Sequence, residues 1–215
     1  MKLSGAAAYR YFAKPDPDRA GLLIFGADAM RVALKRQEVI AALIGPEGEA
    51  EMRLARIPAS ELRKDPALVQ DALKAQGFFP GPRVAFVEDA NDILAPNLKE
   101  ALTEWRAGDA TLIVTAGNLT KASALKKLFE DHPNAYAAGI YDDPPTREEI
   151  ENTLARAGLK NLDRAAADDL FALARDLDPG DFRQVAEKLA LYKYADPTPV
   201  SPADVAACEI GRAHV

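Results

Sequence analysis

Gln76-Gly77-Phe78-Phe79-Pro80-Gly81-Pro82-Arg83-Val84-Ala85-Phe86-Val87 is the stretch where one periodicity gives way to another. Upstream of it, Leu68, Val69, Ala72 and Leu73 recur at helical spacing, so an amphipathic helix runs toward Gly77. Gly77 suits the left-handed position just past a helix end, and Pro80 and Pro82 keep the helix from resuming. Downstream, Arg83–Val87 is a β-branched and aromatic run that reads as a buried strand. A helix, a stiff turn and a strand apolar on both faces make the repeating unit of a parallel sheet covered by helices.

The two aromatics in the turn have two readings. With Gly77 as C′, Phe78 falls at C″ and Leu73 at C3, the two positions that touch in a Schellman cap. That local reading accounts for Phe78 and leaves Phe79 without a task. Alternatively, the pair is a small apolar knob on a rigid loop, offered to a partner. Spacing alone leaves both open.

The same alternation continues on either side of this stretch. Residues up to about Ala20 hold Tyr9, Tyr11 and Phe12 and then Pro15-Asp16-Pro17-Asp18, a turn-rich lead-in. Leu22-Leu23-Ile24-Phe25 is an apolar strand ending at Gly26, and Asp28 caps a helix whose face carries Met30, Ala33, Leu34, Ala41 and Ile44. Gly45-Pro46-Glu47-Gly48 stops that helix, and Met52–Ile57 alternates as a strand. Beyond Val87, a helix over Leu94–Trp105, a strand at Thr111–Thr115, a basic helix over Lys121–Phe129 and a weaker strand at Tyr136–Ile140 follow. Five strands alternating with helices predict an α/β domain with a parallel sheet.

The pattern changes at Asp142-Asp143-Pro144-Pro145. Thr146 with Glu149 and Asp181 with Gln184 read as capping boxes, and helices are predicted near Thr146–Ala157, Asp163–Arg175 and Asp181–Tyr194. Ser201-Pro202 opens a fourth, short helix. A small helical domain, 144–208, is therefore expected after the α/β domain, 1–143.

Composition bounds the function. The chain has 215 residues, 48% hydrophobic and 28% charged, enough apolar material for a proper core in one large or two small domains. A net charge of -6 and a pI near 5.1 argue against free-standing nucleic-acid binding through bulk charge, leaving room for local basic patches, for instance Lys121, Lys126 and Lys127. A single cysteine, Cys208, excludes an internal disulfide and suits a reducing cytoplasm. With no signal-peptide core and no apolar run long enough for a bilayer, a soluble cytoplasmic protein without membrane association is expected.

Chemistry is hard to find. A phosphate-binding loop needs a second glycine and a lysine-hydroxyl pair after the first strand, whereas Gly26-Ala27-Asp28-Ala29-Met30-Arg31-Val32 offers neither. A dinucleotide fingerprint is missing as well. Asp28 at a helix start repels a phosphate. Val84–Val87 with Glu88 and Asp89 looks like the ATPase strand that ends in metal-binding acids, but without a phosphate loop the acids are read as loop carboxylates. Thr115 and Asn118 lie where a polar sensor sits in such a fold, and the same reading applies. His132 and His214 have no metal-ligand spacing, and no nucleophile elbow is present. No catalytic, nucleotide-binding or metal-binding residue is assigned, and no cofactor is expected.

Taken together, the sequence resembles the delta subunit of the bacterial DNA polymerase III clamp loader. The marks are Leu22–Asp28, Gly77-Phe78-Phe79 before Arg83–Val87, Leu112-Ile113-Val114 with Leu119–Phe129, and Glu187–Tyr192; each is weak, and their order and spacing together are specific. The resemblance implies an AAA+-like fold, a RecA-like α/β domain followed by a three-helix lid and a C-terminal collar. It implies a non-enzymatic subunit of a nucleotidyltransferase holoenzyme, without a working ATP site, that opens the ring-shaped sliding clamp (the beta subunit) for loading on primed DNA. In the family a hydrophobic pair at the end of a helix enters a pocket on the clamp; here that pair maps to Phe78 and Phe79, with Phe78 where Leu is frequent. The resemblance thus favours the knob over the cap. The collar, which joins the family's subunits to one another, is expected to be missing, since the chain stops at Val215. The last residues, Glu209-Ile210-Gly211-Arg212-Ala213-His214-Val215, resemble a translated sequencing adapter, so 209–215 is expected to be a non-native tail. Rival readings are an active AAA+ or P-loop ATPase and an interaction module unrelated to replication.

Overall fold

The computed structural model describes residues 1–140, 145–177 and 179–209. The chain divides into two compact units, Met1–Asp142 and Asp143–Val215. Of the boundary expected at Asp142-Asp143-Pro144-Pro145 all but Pro145, and of the tail expected over 209–215 all but the helical Glu209, lie outside the described residues.

The first unit is built on β2 (Gly21–Gly26), β3 (Leu54–Pro58), β4 (Val84–Glu88), β5 (Thr111–Ala116) and β6 (Ala135–Ile140), with a short β1 (Lys2–Leu3) at one edge. All pairings are parallel, in the order β1-β6-β2-β5-β4-β3. The central strands are apolar on both faces because both faces are covered. Leu23, Phe25, Ala85, Val87, Leu112 and Val114 point into one core with α3 (Ala59–Leu62), α4 (Ala67–Lys74), α5 (Ala95–Glu104) and α6 (Ala124–Asp131). Their neighbours Leu22, Ile24, Val84, Phe86 and Ile113 point into the other, against α1 (Gly5–Ala13) and α2 (Ala29–Ile44). Truncating a side chain as deeply buried as Phe86 to alanine costs about 3–5 kcal/mol. This is the α/β arrangement with a parallel sheet that the sequence pattern predicts, and the sheet is RecA-like, as the resemblance implies.

Two differences have clear causes. The lead-in is not irregular: it forms β1 and α1, and Phe12 and Ala8 of α1 are buried on the α2 side of the sheet. Its strand is only two residues long, and its alanine-rich helix carries too few large apolar side chains to set a clear period. Second, α4 ends at Lys74 rather than at Gly77. The Leu73 carbonyl, which a Schellman cap would offer to the Phe78 N–H, accepts instead from Ala110 N–H at 3.0 Å. Ala75 is extended (ψ 127°), so the chain leaves the helix there.

The second unit contains α7 (Arg147–Arg156), α8 (Arg164–Asp176), α9 (Pro179–Tyr192) and α10 (Pro202–Glu209) around their own core, which includes Ile150, Leu154, Leu170, Phe182, Ala186 and Leu189. Thr146 and Glu149 make the predicted capping box, the Thr146 N–H donating to the Glu149 carboxylate at 2.7 Å. Asp181 lies inside the first turn of α9, because that helix starts at Pro179, so it is not the cap the sequence predicts. Ser201 and Asp204 make a capping box instead, with Ser201 N–H donating to Asp204 at 2.8 Å. A single parallel bridge, Leu162 to Val200, is the one piece of β structure among the described residues of this unit.

Candidate partner-binding loop

The connection from α4 to β4 carries Phe78 and Phe79. Phe78 is 91% exposed and Phe79 38% exposed, with ring centroids 5.6 Å apart in an edge-to-face pair. Leu73, the contact a Schellman cap would give Phe78, is fully buried in the sheet core. The local reading of Phe78 therefore fails, and the loop presents an aromatic pair to solvent.

The loop stands on a fixed base. Ala75 N–H donates to Asp71 O at 2.8 Å, and Lys74 Nζ donates to the Asp109 carboxylate at 2.6 Å and to Glu104 O at 2.8 Å. On the other side Arg83 donates to Gly108 O at 2.6 Å, with Thr111 N–H donating to Arg83 O at 2.8 Å. Arg53, held by Glu51 at 2.6 Å, donates to Pro82 O at 3.1 Å. Gly81 has φ 123°, and a Cβ there would lie 3.1 Å from Arg53 Nη1, so the chain needs glycine at this bend. Burial works to raise the Asp109 carboxyl, but the hydrogen bonds from Lys74 and from Arg106 N–H, with Arg83 nearby, hold it below the ordinary range. Sequence reading missed Lys74, Asp109, Arg53 and Arg83, since nothing local marks a residue whose partner is distant in the chain.

The other predicted positions have structural tasks. Asp28 caps α2, its carboxylate accepting from Arg31 N–H at 3.0 Å and pairing with the Arg31 guanidinium at 3.1 Å. The carboxylate thus occupies the helix start where a phosphate would sit. Gly26 is required by strand packing, because a Cβ there would fall 2.3 Å from Ile140 O. Thr115 is buried and its hydroxyl accepts from Asp89 N–H at 3.3 Å, fixing the end of β4. Asp89 has a left-handed backbone (φ 55°), and Glu88, Asp89 and Asn118 are exposed. His132 Nδ1 accepts from Asn134 N–H at 3.1 Å, a turn contact at the end of α6. Lys121 and Lys127 are exposed, but Lys126 is 8% exposed and lies over the Phe25 ring at 5.1 Å, so the three do not form one surface patch. Among the described residues no group of three or more His, Cys, Asp or Glu could hold a metal ion, and no helix is long and apolar enough to cross a membrane. Cys208 is buried, and burial pushes its thiol up.

These features describe an α/β protein with a RecA-like, six-stranded parallel sheet. Among solved structures the chain is similar to the Bacillus subtilis DNA clamp loader delta protein (YqeN), with a TM-score of 0.62 and 16% identity over 93% of this chain and 60% of that one. It is also similar to the AAA domain of FIGL-1, with a TM-score of 0.44 and 16% identity over 93% of this chain and 75% of that one. No protein-family model matches the sequence, and no curated protein matches it significantly. At such identity the first likeness establishes a shared fold, and the chain spans 60% of that protein's length.

Proposed function

We propose that the chain is a clamp-loader subunit of the delta type, which binds a sliding clamp through Phe78 and Phe79 and helps to open it for loading on primed DNA. ATP is hydrolysed by other subunits of the loader, and the α/β unit is the clamp-binding part while the helical unit is a lid. The observation that carries this reading is the exposed Phe78–Phe79 pair on a braced loop. Burying two aromatics in a partner's pocket supplies a few kcal/mol at roughly 25 cal/mol per Å². A braced loop also loses little conformational freedom on docking, so more of that energy appears as affinity. The shared fold with a clamp loader delta protein supports the reading, and the carboxylate-capped start of α2 supports a subunit without its own ATP site.

The test is direct binding of the chain to the sliding clamp of its own organism, with and without ATP, beside the Phe78→Ala/Phe79→Ala double variant. The expected result is ATP-independent binding that weakens on the order of hundredfold in the double variant. Binding unchanged in the double variant would remove the loop from the site. No binding by the folded wild-type chain would remove the function.

A further inference from the structure

The second unit holds a cleft of about 490 Å³ that the proposed function does not use, between α7 and α8. Arg164, Asp168, Phe171 and Arg175 follow one another along α8 at spacings of three and four residues, so they form a stripe on one face. From Arg164 to Arg175 the stripe is roughly 16 Å long at 1.5 Å per residue. Ala167 and the half-buried Phe171 make its floor. Arg147 reaches over from α7 with its guanidinium 5.1 Å from the Phe171 ring, held there by Glu151 at 2.7 Å. Arg164 and Arg175 differ from it: both are exposed, and neither makes a hydrogen bond or ion pair among the described residues.

We propose that this cleft is a docking site for an extended acidic-apolar-acidic peptide segment of a partner protein. The charge pattern selects that occupant. Two guanidiniums without a partner among the described residues mark the ends, and each suits a carboxylate in bidentate geometry. The middle has an apolar floor, a guanidinium already engaged, and the Asp168 carboxylate. A nucleic-acid strand carries a phosphate at every step and so sets like charge against Asp168 in the middle of the cleft. A peptide can keep its acids at the ends, lay an apolar side chain against Phe171, and offer backbone N–H groups to Asp168. At about 3.3 Å per residue, acids five positions apart span the distance from Arg164 to Arg175.

The proposal does not depend on clamp binding, and the test uses the whole chain. Fluorescence anisotropy is measured with a labelled peptide of sequence Glu-Ala-Leu-Phe-Ala-Glu, with the same peptide carrying Gln for both Glu, and with labelled oligothymidylate. The acidic peptide is expected to bind, and to weaken at least about tenfold both in Arg164→Ala/Arg175→Ala and on Gln replacement. The Phe78→Ala/Phe79→Ala chain is expected to bind it as the wild type does. Failure of the acidic peptide to bind overturns the proposal, as does binding indifferent to the arginine variants. Tighter binding of oligothymidylate through the same arginines overturns it in favour of a nucleic-acid site.

Discussion

Leu73 and Phe78 are neighbours in sequence and opposites in environment, one fully buried and one almost fully exposed. Their alanine variants should separate accordingly. Leu73→Ala is expected to cost about 2–5 kcal/mol of stability, and Phe78→Ala to stay within about 0.5 kcal/mol, by urea denaturation. A large stability loss from Phe78→Ala would mean that the ring packs on its own chain. Gly26 makes a second residue-scale contrast. As a phosphate-loop remnant with no packing task, it would tolerate alanine without loss of stability. As a strand contact, with a Cβ only 2.3 Å from Ile140 O, it cannot accept one without moving β6. Gly26→Ala is therefore expected to lower stability by about 1–3 kcal/mol, read as a drop in denaturation midpoint. An unchanged midpoint would return Gly26 to the nucleotide argument.

The element that matters for the proposed function is the α4–β4 connection, and its base is electrostatic. Asp109 is held below its ordinary value of 3.8 in the fold. A depressed carboxylate contributes stability above its unfolded pKa and loses it as pH falls through the lower folded value. The difference in stability between wild type and Asp109→Asn is thus expected to be about 1 kcal/mol at neutral pH and to close as pH falls below 3.8. A difference that stays constant into acid would show that Lys74 and Asp109 do not brace the loop through charge. The helix itself was legible from Leu68, Val69, Ala72 and Leu73, but its end was not. Gly77 and the two prolines mark a stop, and the actual stop falls at Lys74 because Ala110 N–H takes the Leu73 carbonyl. No local pattern contains that donor, since Ala110 lies just before β5, far along the chain.

At the scale of the molecule, each unit encloses its own core, one on both faces of the sheet and one among the four helices. Residues 1–142 alone are therefore expected to unfold in one cooperative transition and to carry the proposed clamp binding, with calorimetry and a clamp-binding assay as the checks. A folded 1–142 chain that does not bind would place part of the clamp site in the helical unit. By itself the sequence determined the parallel sheet, five of its six strands, the four later helices and the absence of a phosphate loop. Those features rest on periodicity, capping residues and β-branched runs, which act between neighbours along the chain. Tertiary structure alone decided that Phe78 stands free, that Gly26 serves β6, that Lys126 is withdrawn over Phe25, and that Arg164 and Arg175 flank an open cleft. Each of these depends on which distant group comes to lie beside a residue, and that is fixed only when the sheet and the helices pack.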